Sequence, residues 1–107
     1  MVKSTVMTAV RRYIAVLPSL GIHTRQVVLF GSFARGDAND LSDIDLIVIA
    51  PEFDGPRETM LVEKLWQARA LADNRIEPIP CGEREWETDQ GRPILEIARH
   101  EGIIIAT

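Results

Sequence analysis

The stretch that decides the fold is 27–50, VVLFGSFARGDANDLSDIDLIVIA. It begins and ends in apolar runs, at 27–30 and 46–49, and such β-branched runs are typical of buried strands. Gly31 and Ser32 follow the first run, and this pair is expected where a strand turns into a loop or a helix. The stretch therefore predicts two buried strands separated by a polar loop.

Two carboxylates stand at the start of the second strand. Asp43 and Asp45 are two residues apart, so on a strand they point to the same face. Two like charges about 5 Å apart repel by roughly 3 kcal/mol at an effective dielectric of about 20, so the pair shares a proton or recruits a cation. Mg²⁺ suits it, since Mg²⁺ takes one or two carboxylates plus substrate phosphates. Gly31 lets a phosphate approach the backbone, and a helix starting at Ser32 turns free N–H groups toward it, which predicts a metal–triphosphate site.

The residues at 31–36, GSFARG, and at 42–46, SDIDL, resemble the signature of the DNA polymerase β-type nucleotidyltransferase superfamily. The resemblance is closest to its minimal nucleotidyltransferases, small proteins often encoded beside a HEPN-domain partner in toxin–antitoxin pairs. It extends to 75–80, RIEPIP, and to 97–103, IARHEGI. The resemblance implies an α/β fold with a small mixed sheet flanked by helices, and a single minimal nucleotidyltransferase domain over 1–107.

The helices are predicted from apolar residues at spacings of three and four. They run from 4 or 5 to 17, from Pro56 to 71 or 72, and from Pro93 to Gly102, with a short helical turn at 82–87. Proline suits the first position of a helix, and Gly102 is a predicted αL cap. The inward-facing residues, in chain order, are Val6, Val10, Tyr13, Ile14 and Leu17; Leu61, Leu65, Ala68 and Ala72; and Ile94, Leu95, Ile97 and Ala98.

Two further strands are predicted, at 75–81 and at 103–106. The first carries two prolines, which remove two backbone donors, so we expect an edge strand. Glu77 and Ile79 share a face of it, and Glu77 becomes a third carboxylate of the site if this strand lies beside that of Asp45. The family resemblance supports that placement, although most active members carry Asp there. Because Glu is longer by one methylene, about 1.5 Å, a solvated edge glutamate is the alternative.

The resemblance implies nucleotidyl transfer from ATP or another nucleoside triphosphate, with two Mg²⁺ ions. Asp43 and Asp45 would hold the metal that carries the triphosphate, and Glu77 would complete the second metal site and help to remove the acceptor proton. Arg35 is equally well explained as a phosphate ligand or as an ion-pair partner of an acidic neighbour, Asp37 or Asp40. The predicted nucleotide-binding residues are Gly31, Ser32, Arg35 and Ser42.

Composition narrows the choice of partners. The 107 residues carry a net charge of −4, which disfavours nucleic acid as the main partner. The longest apolar runs are about five residues, far below the roughly 20 that a membrane crossing needs. With one cysteine, Cys81, and no apolar leader, a cytoplasmic protein is expected.

The resemblance further implies a HEPN-type toxin as partner and a protein hydroxyl, plausibly of a tyrosine, as acceptor. No basic, aromatic-rich surface is left to hold an RNA. Two alternatives stay open: an antitoxin that neutralises its partner by binding alone, and a degenerate or purely structural subunit.

Overall fold

The structure, a computed structural model, describes residues 3–56, 59–88 and 91–105. Four strands form one mixed sheet in the order β3-β2-β1-β4. The strands are β1 (Gln26–Phe30), β2 (Ile44–Ile49), β3 (Ile76–Cys81) and β4 (Ile103–Ile105). The α-helices are α1 (Ser4–Val16), α2 (Ser32–Arg35), α3 (Thr59–Gln67), α4 (Glu83–Thr88) and α5 (Pro93–Glu101). The predicted small mixed α/β sheet flanked by helices is confirmed.

Strand β1 lies antiparallel to β2 and β4, whereas β2 and β3 run parallel. The predicted edge position of β3 is confirmed, and the hydrogen bonds explain its prolines. The Arg75 and Cys81 carbonyls accept from the amides of Ile44 in β2 and of Ala50 just after it, at 2.8 and 3.1 Å. Since alternate residues of a parallel strand bond the same neighbour, Pro78 and Pro80 fall where an N–H would point away from β2. The two prolines therefore remove no hydrogen bond from the sheet.

Alternation along the strands divides the core between the two faces of the sheet. One face, here called the closed face, packs against α1 and α3 through residues such as Leu29, Leu46 and Val48. The other, the open face, packs Val28, Ile47 and their neighbours against α5 and Trp86 of α4. The apolar stripes predicted for the first two helices are buried or half-buried at the closed face.

Several predicted details are wrong or incomplete. Ile97 was expected to face inward but is 47% exposed. Gly102 is extended, with φ −76° and ψ 158°, rather than an αL cap. A glycine is nevertheless required there, because a Cβ would collide with the Ala98 carbonyl and the Val28 side chain. The first α-helix ends at Val16 and continues as a 3₁₀ turn through Leu20, with Pro18 inside that turn.

Other helix and strand ends differ slightly from the prediction. Pro56 lies in a bend, and the second long helix is described from Thr59, since 57 and 58 lie outside the described residues. Ala106, the predicted last residue of the final strand, also lies outside the described residues. Within the described ranges, every helix is too short or too polar for a membrane crossing.

Candidate active site

The turn between β1 and α2 is built around Gly31. Its φ of 77° and ψ of −156° belong to a region of backbone conformation that is essentially confined to glycine. A Cβ at Gly31 would also collide with the carboxylate of Asp45. The glycine therefore brings the β1–α2 turn directly against the first acidic residue of β2.

Sheet register brings the acidic residues together. Asp45 pairs with Phe30 of β1 on one side and with Glu77 of β3 on the other. Paired residues in neighbouring strands point to the same face, so the carboxylates of Asp45 and Glu77 are direct neighbours on the open face. Asp43 is exposed in the segment just before β2. The predicted placement of the Glu77 strand beside the Asp45 strand is confirmed.

One open cleft contains all seven residues predicted for the site. It lies at the end of the open face that α5 leaves uncovered, and its apolar wall comes from Ile79 of β3 and from Ile94 and Ile97 of α5. The predicted residues in its lining are Gly31, Ser32, Arg35, Ser42, Asp43, Asp45 and Glu77. The structure thus brings these side chains together, while the role of each remains a prediction.

The acidic residues that line the cleft disfavour negative charge there. The pKa of Asp45 is raised to about 6, first by burial and then by the charges of Glu77 and Asp43, with a smaller contribution from Glu101. The positive charge of Arg35 lowers this pKa and offsets part of the effect. A cation bound beside Asp45 would favour its ionised form and lower this pKa.

The acidic side chains of the cleft suit a hard divalent cation, because such cations prefer oxygen ligands and these side chains provide carboxylate oxygens. No three acidic, histidine or cysteine side chains of the described residues form a ready-made metal cage. Mg²⁺ does not require one, since it is usually held by one or two carboxylates together with substrate phosphates. The carboxylates present are therefore compatible with a metal that arrives with the nucleotide, and Asp43 and Asp45 would hold it.

Two predicted nucleotide-binding side chains have partners within the protein. The Ser42 hydroxyl accepts from the Asn39 amide at 3.0 Å and so closes the loop before β2. Arg35 donates to Asp37 at 3.2 Å, as one of the two alternatives expected. Asp40, the other candidate partner, pairs with Lys3 at 3.5 Å instead.

Glu101 is a cleft residue that the sequence reasoning missed. Its Oε1 accepts from the Gly31 amide at 3.0 Å and from Arg35 Nη1 at 3.2 Å. The available signal was its position: a glutamate in the last turn of a helix faces the negative end of the helix dipole and needs a compensating partner. The residue lies inside 97–103, one of the segments to which the family resemblance extends.

Comparison with known proteins gives the family. The model of the nucleotidyltransferase domain matches residues 10–90, which include the turn at Gly31 and all three predicted catalytic carboxylates. The chain belongs to the nucleotidyltransferase domain family. Nucleotidyl transfer is thus the chemistry of its family, and the resemblance noted from the motif is confirmed.

Individual proteins also resemble the chain. A Methanocaldococcus jannaschii protein named "putative protein adenylyltransferase MJ0141" is 36% identical over 55 residues, which are 50% of this chain and 56% of that protein. The chain thus spans little more than half the length of this relative. A crystal structure of a "putative nucleotidyltransferase" from Sulfolobus solfataricus matches with a TM-score of 0.53 over 97% of this chain and 87% of the other. At 18% identity this match supports the fold alone.

Proposed function

We propose that the protein is a Mg²⁺-dependent enzyme that transfers AMP from ATP to a hydroxyl group of a partner protein, and that this partner is a HEPN-type toxin. In the reaction the acceptor oxygen bonds to the α-phosphorus, the bond between the α-phosphorus and the bridging oxygen breaks, and pyrophosphate leaves. Bound Mg²⁺ supplies positive charge where negative charge builds up on the attacking and leaving oxygens.

The observation that carries the proposal is the convergence of two distant motifs in one cleft. The glycine-serine turn and the Asp43–Asp45 pair lie in one stretch, but Glu77 comes from a separate strand more than thirty residues later. Register places it beside Asp45. A set of carboxylates next to a glycine turn is the arrangement that nucleotidyl transfer requires, because one part holds the phosphates and the other the metal.

Each residue then has a definite task. Asp43 and Asp45 bind the cation that accompanies the triphosphate. The hydroxyl of Ser32 and the first amides of α2, which have no partner inside the helix, receive phosphate oxygens. Arg35 stands close enough to assist with its positive charge. Glu77, on the outer side of Asp45, accepts the proton of the acceptor hydroxyl.

The lining of the cleft favours a protein acceptor over RNA. Its wall beyond Glu77 is formed by Ile79, Ile94 and the exposed Ile97, and among the described residues Arg35 is the one basic side chain in its lining. RNA binding calls instead for basic residues and aromatic stacking platforms. An apolar rim beside the acidic centre suits a side chain presented by a folded protein. The name of the M. jannaschii relative is consistent with this choice.

The direct test is transfer of label from α-labelled ATP, with Mg²⁺, to a HEPN-type protein encoded next to this one. The wild-type protein should add one AMP-sized mass, and Asp45→Asn should add none. Glu77→Gln should still bind Mg-ATP but transfer more slowly, since Glu77 is assigned to the acceptor. Glu63→Gln is a matched control, because Glu63 is an exposed glutamate of α3 on the other side of the sheet.

Three results would contradict the proposal. Inhibition of the partner by stoichiometric binding without modification would make the protein a binding antitoxin. Labelling of an RNA end or a small alcohol, with the partner unmodified, would refute the protein acceptor. Equal Mg-ATP binding by wild type and an Asp43→Asn/Asp45→Asn double variant would place the nucleotide elsewhere.

A further inference from the structure

Glu101 connects both ends of α2 to α5. Its carboxylate accepts from the amide of Gly31, the residue before α2, at 3.0 Å. It also accepts from Arg35, the last residue of α2, with Nη1 at 3.2 Å from Oε1 and 3.5 Å from Oε2. The Glu101 side chain is only 24% exposed. The hydrogen bond to Gly31 is therefore partly shielded from water, which strengthens a charge-assisted bond, whereas the ion pair with Arg35 is exposed.

The location of this carboxylate is unfavourable in other respects. It adds a fourth negative charge to a cleft that already holds Asp43, Asp45 and Glu77 and that has to admit a polyphosphate. It also lies at the negative end of the α5 dipole. A residue placed here against these costs is best explained by its two contacts, to Gly31 and to Arg35.

The helix that carries Glu101 is firmly anchored. Leu95 and Ala98 of α5 are buried against the open face of the sheet. Gly102 follows in van der Waals contact with β1, where even a Cβ would collide with Val28. Glu101 is thus presented from a fixed support rather than from a loop, which suits a residue that has to hold another element in place.

The turn that Glu101 holds is in contact with the predicted metal ligand. Gly31 lies so close to the Asp45 carboxylate that there is no room for a side chain between them. A shift of the β1–α2 turn would therefore change both the phosphate-binding side of the cleft and the setting of Asp45. Small displacements of this kind are costly in group transfer, because the reacting atoms must be aligned closely.

We propose that Glu101 is a positioning residue of the nucleotide site, holding the Gly31–Arg35 turn through both of its ends so that Ser32 and Asp45 face the same phosphates. This inference rests on the proposed nucleotide-binding function of the cleft. Because Gly31 is buried and its amide is bound by Glu101, the nucleotide is received by Ser32 and the residues after it.

Two variants separate the two contacts. Glu101→Gln keeps an oxygen that can accept from Gly31 but loses the charge that holds Arg35, whereas Glu101→Ala loses both. We expect Mg-ATP to bind about threefold more weakly to Glu101→Gln and about tenfold more weakly to Glu101→Ala, with a parallel fall in kcat. Amide exchange at Gly31 should accelerate in the alanine variant and stay near the wild-type rate in the glutamine variant. Titration calorimetry, steady-state kinetics and NMR measure these effects.

Glu96→Gln is the matched control, because it removes the same charge from the same helix. Glu96 pairs with Arg99 at 2.7 Å and is not part of the cleft lining. It should leave Mg-ATP affinity and Gly31 exchange unchanged. Should Glu101→Ala fail to fold, the isosteric glutamine variant still tests the contact to Arg35, because Mg-ATP affinity equal to that of the wild type would refute it.

The outcomes distinguish this inference from the proposed function. Absence of Mg-ATP binding in the wild type would refute the function, and faster Gly31 exchange in Glu101→Ala would still support the tether itself. If the wild type binds Mg-ATP and both folded variants match it in affinity and kcat, Glu101 has a structural role only. Tighter nucleotide binding in the variants would show that Glu101 competes with the phosphates, which would also overturn the proposal.

Discussion

The two faces of the sheet are made by the same strands but have different roles. On the closed face, helices α1 and α3 cover the strands, and the core residues there include Leu29, Leu46 and Val48, all fully buried. On the open face, α5 and Trp86 cover only one part, around Val28 and Ile47. The uncovered part carries Asp45 and Glu77 at alternating positions with apolar residues. Along β2, moving by one residue changes the environment from a buried core to an acidic cleft.

The closed face contributes mainly to the stability of the fold, whereas the uncovered part of the open face carries the residues proposed for catalysis. Burial of apolar side chains on the closed face stabilises the fold, and each such residue has many neighbours to lose. Burial and then the charges of Glu77 and Asp43 raise the pKa of Asp45, so in the absence of a ligand its ionised carboxylate opposes folding. Substitutions on the two faces should therefore act on different measured quantities, and the predictions that follow exploit that contrast.

The largest effect is expected for Asp45→Asn on transfer. The asparagine has nearly the same shape but cannot offer a negative charge to the cation, so we expect AMP transfer to fall by about 10³-fold, which corresponds to about 4 kcal/mol in the barrier. The variant should be at least as stable as the wild type without ligand at pH 7. Transfer assays and thermal unfolding measure the two effects. A variant that loses stability and activity together would contradict the separation between the faces.

At the next position of β2 a substitution should lower stability and leave nucleotide binding unchanged. Leu46 is fully buried on the closed face, and Leu46→Ala should lower the free energy of unfolding by about 3 kcal/mol through lost burial and a cavity. The folded fraction should bind Mg-ATP as the wild type does. Ile97→Ala is the counterpart on the open side: its side chain is 47% exposed, so a change of about 0.5 kcal/mol or less is expected. Urea unfolding compares the two variants, and equal losses would refute the contrast.

A smaller loss of stability is expected when the hydrogen bond between the two helices of the closed face is removed. The Tyr13 hydroxyl of α1 is buried and donates to the Leu65 carbonyl of α3 at 2.6 Å. Burial raises the pKa of Tyr13, which keeps the phenol neutral and able to donate. Tyr13→Phe leaves that carbonyl without its partner and should cost about 1.5 kcal/mol. Unfolding in urea measures the loss, and a variant as stable as the wild type would show that water replaces the hydroxyl.

Much of this arrangement is predictable from sequence because it depends on local patterns. Alternation fixes which side chains of 43–49 share a face, and a glycine-serine pair after an apolar run marks the turn. The prolines of β3 predict an edge strand, which in turn leaves one neighbour for Glu77. These signals require no knowledge of how distant segments pack. They account for the strands, the turn and the Asp43–Asp45 pair, whereas the placement of Glu77 beside Asp45 was supported by the family resemblance.

The parts that sequence reasoning missed depend on contacts between distant segments. Glu101 touches Gly31 across seventy residues, and no local pattern connects them. Ile97 fits an apolar stripe by spacing, yet α5 ends where the sheet face is left open, so the side chain lines the cleft instead. Gly102 has to be a glycine because there is no space for a Cβ beside Val28. A helix-capping argument does not detect this restriction. In each case tertiary packing overrides the local expectation.

The remaining prediction is the pH dependence that Asp45 gives to the unliganded protein. Its pKa is about 6 in the folded state, against an ordinary value of 3.8, so between these values the folded protein holds a proton that the unfolded chain has lost. The stability contribution of Asp45 is thus fully present below about pH 4, declines as the pH rises toward 6, and stays absent above it. The carboxylate of Asp73, whose pKa the Arg75 guanidinium lowers through its hydrogen bonds, acts in the opposite sense and only at lower pH.

The difference in stability between Asp45→Asn and the wild type isolates this contribution, because the other titrating groups are common to both proteins. In a chelator-containing buffer the variant should match the wild type near pH 4 and exceed it progressively up to about pH 6, with no further change to pH 8. Saturating Mg²⁺ and ATP should reverse the order at pH 7, since ligand binding stabilises only the protein that retains the carboxylate. A difference that does not vary between pH 4 and 7 would mean that Asp45 titrates normally, and that the open end of the sheet does not oppose folding.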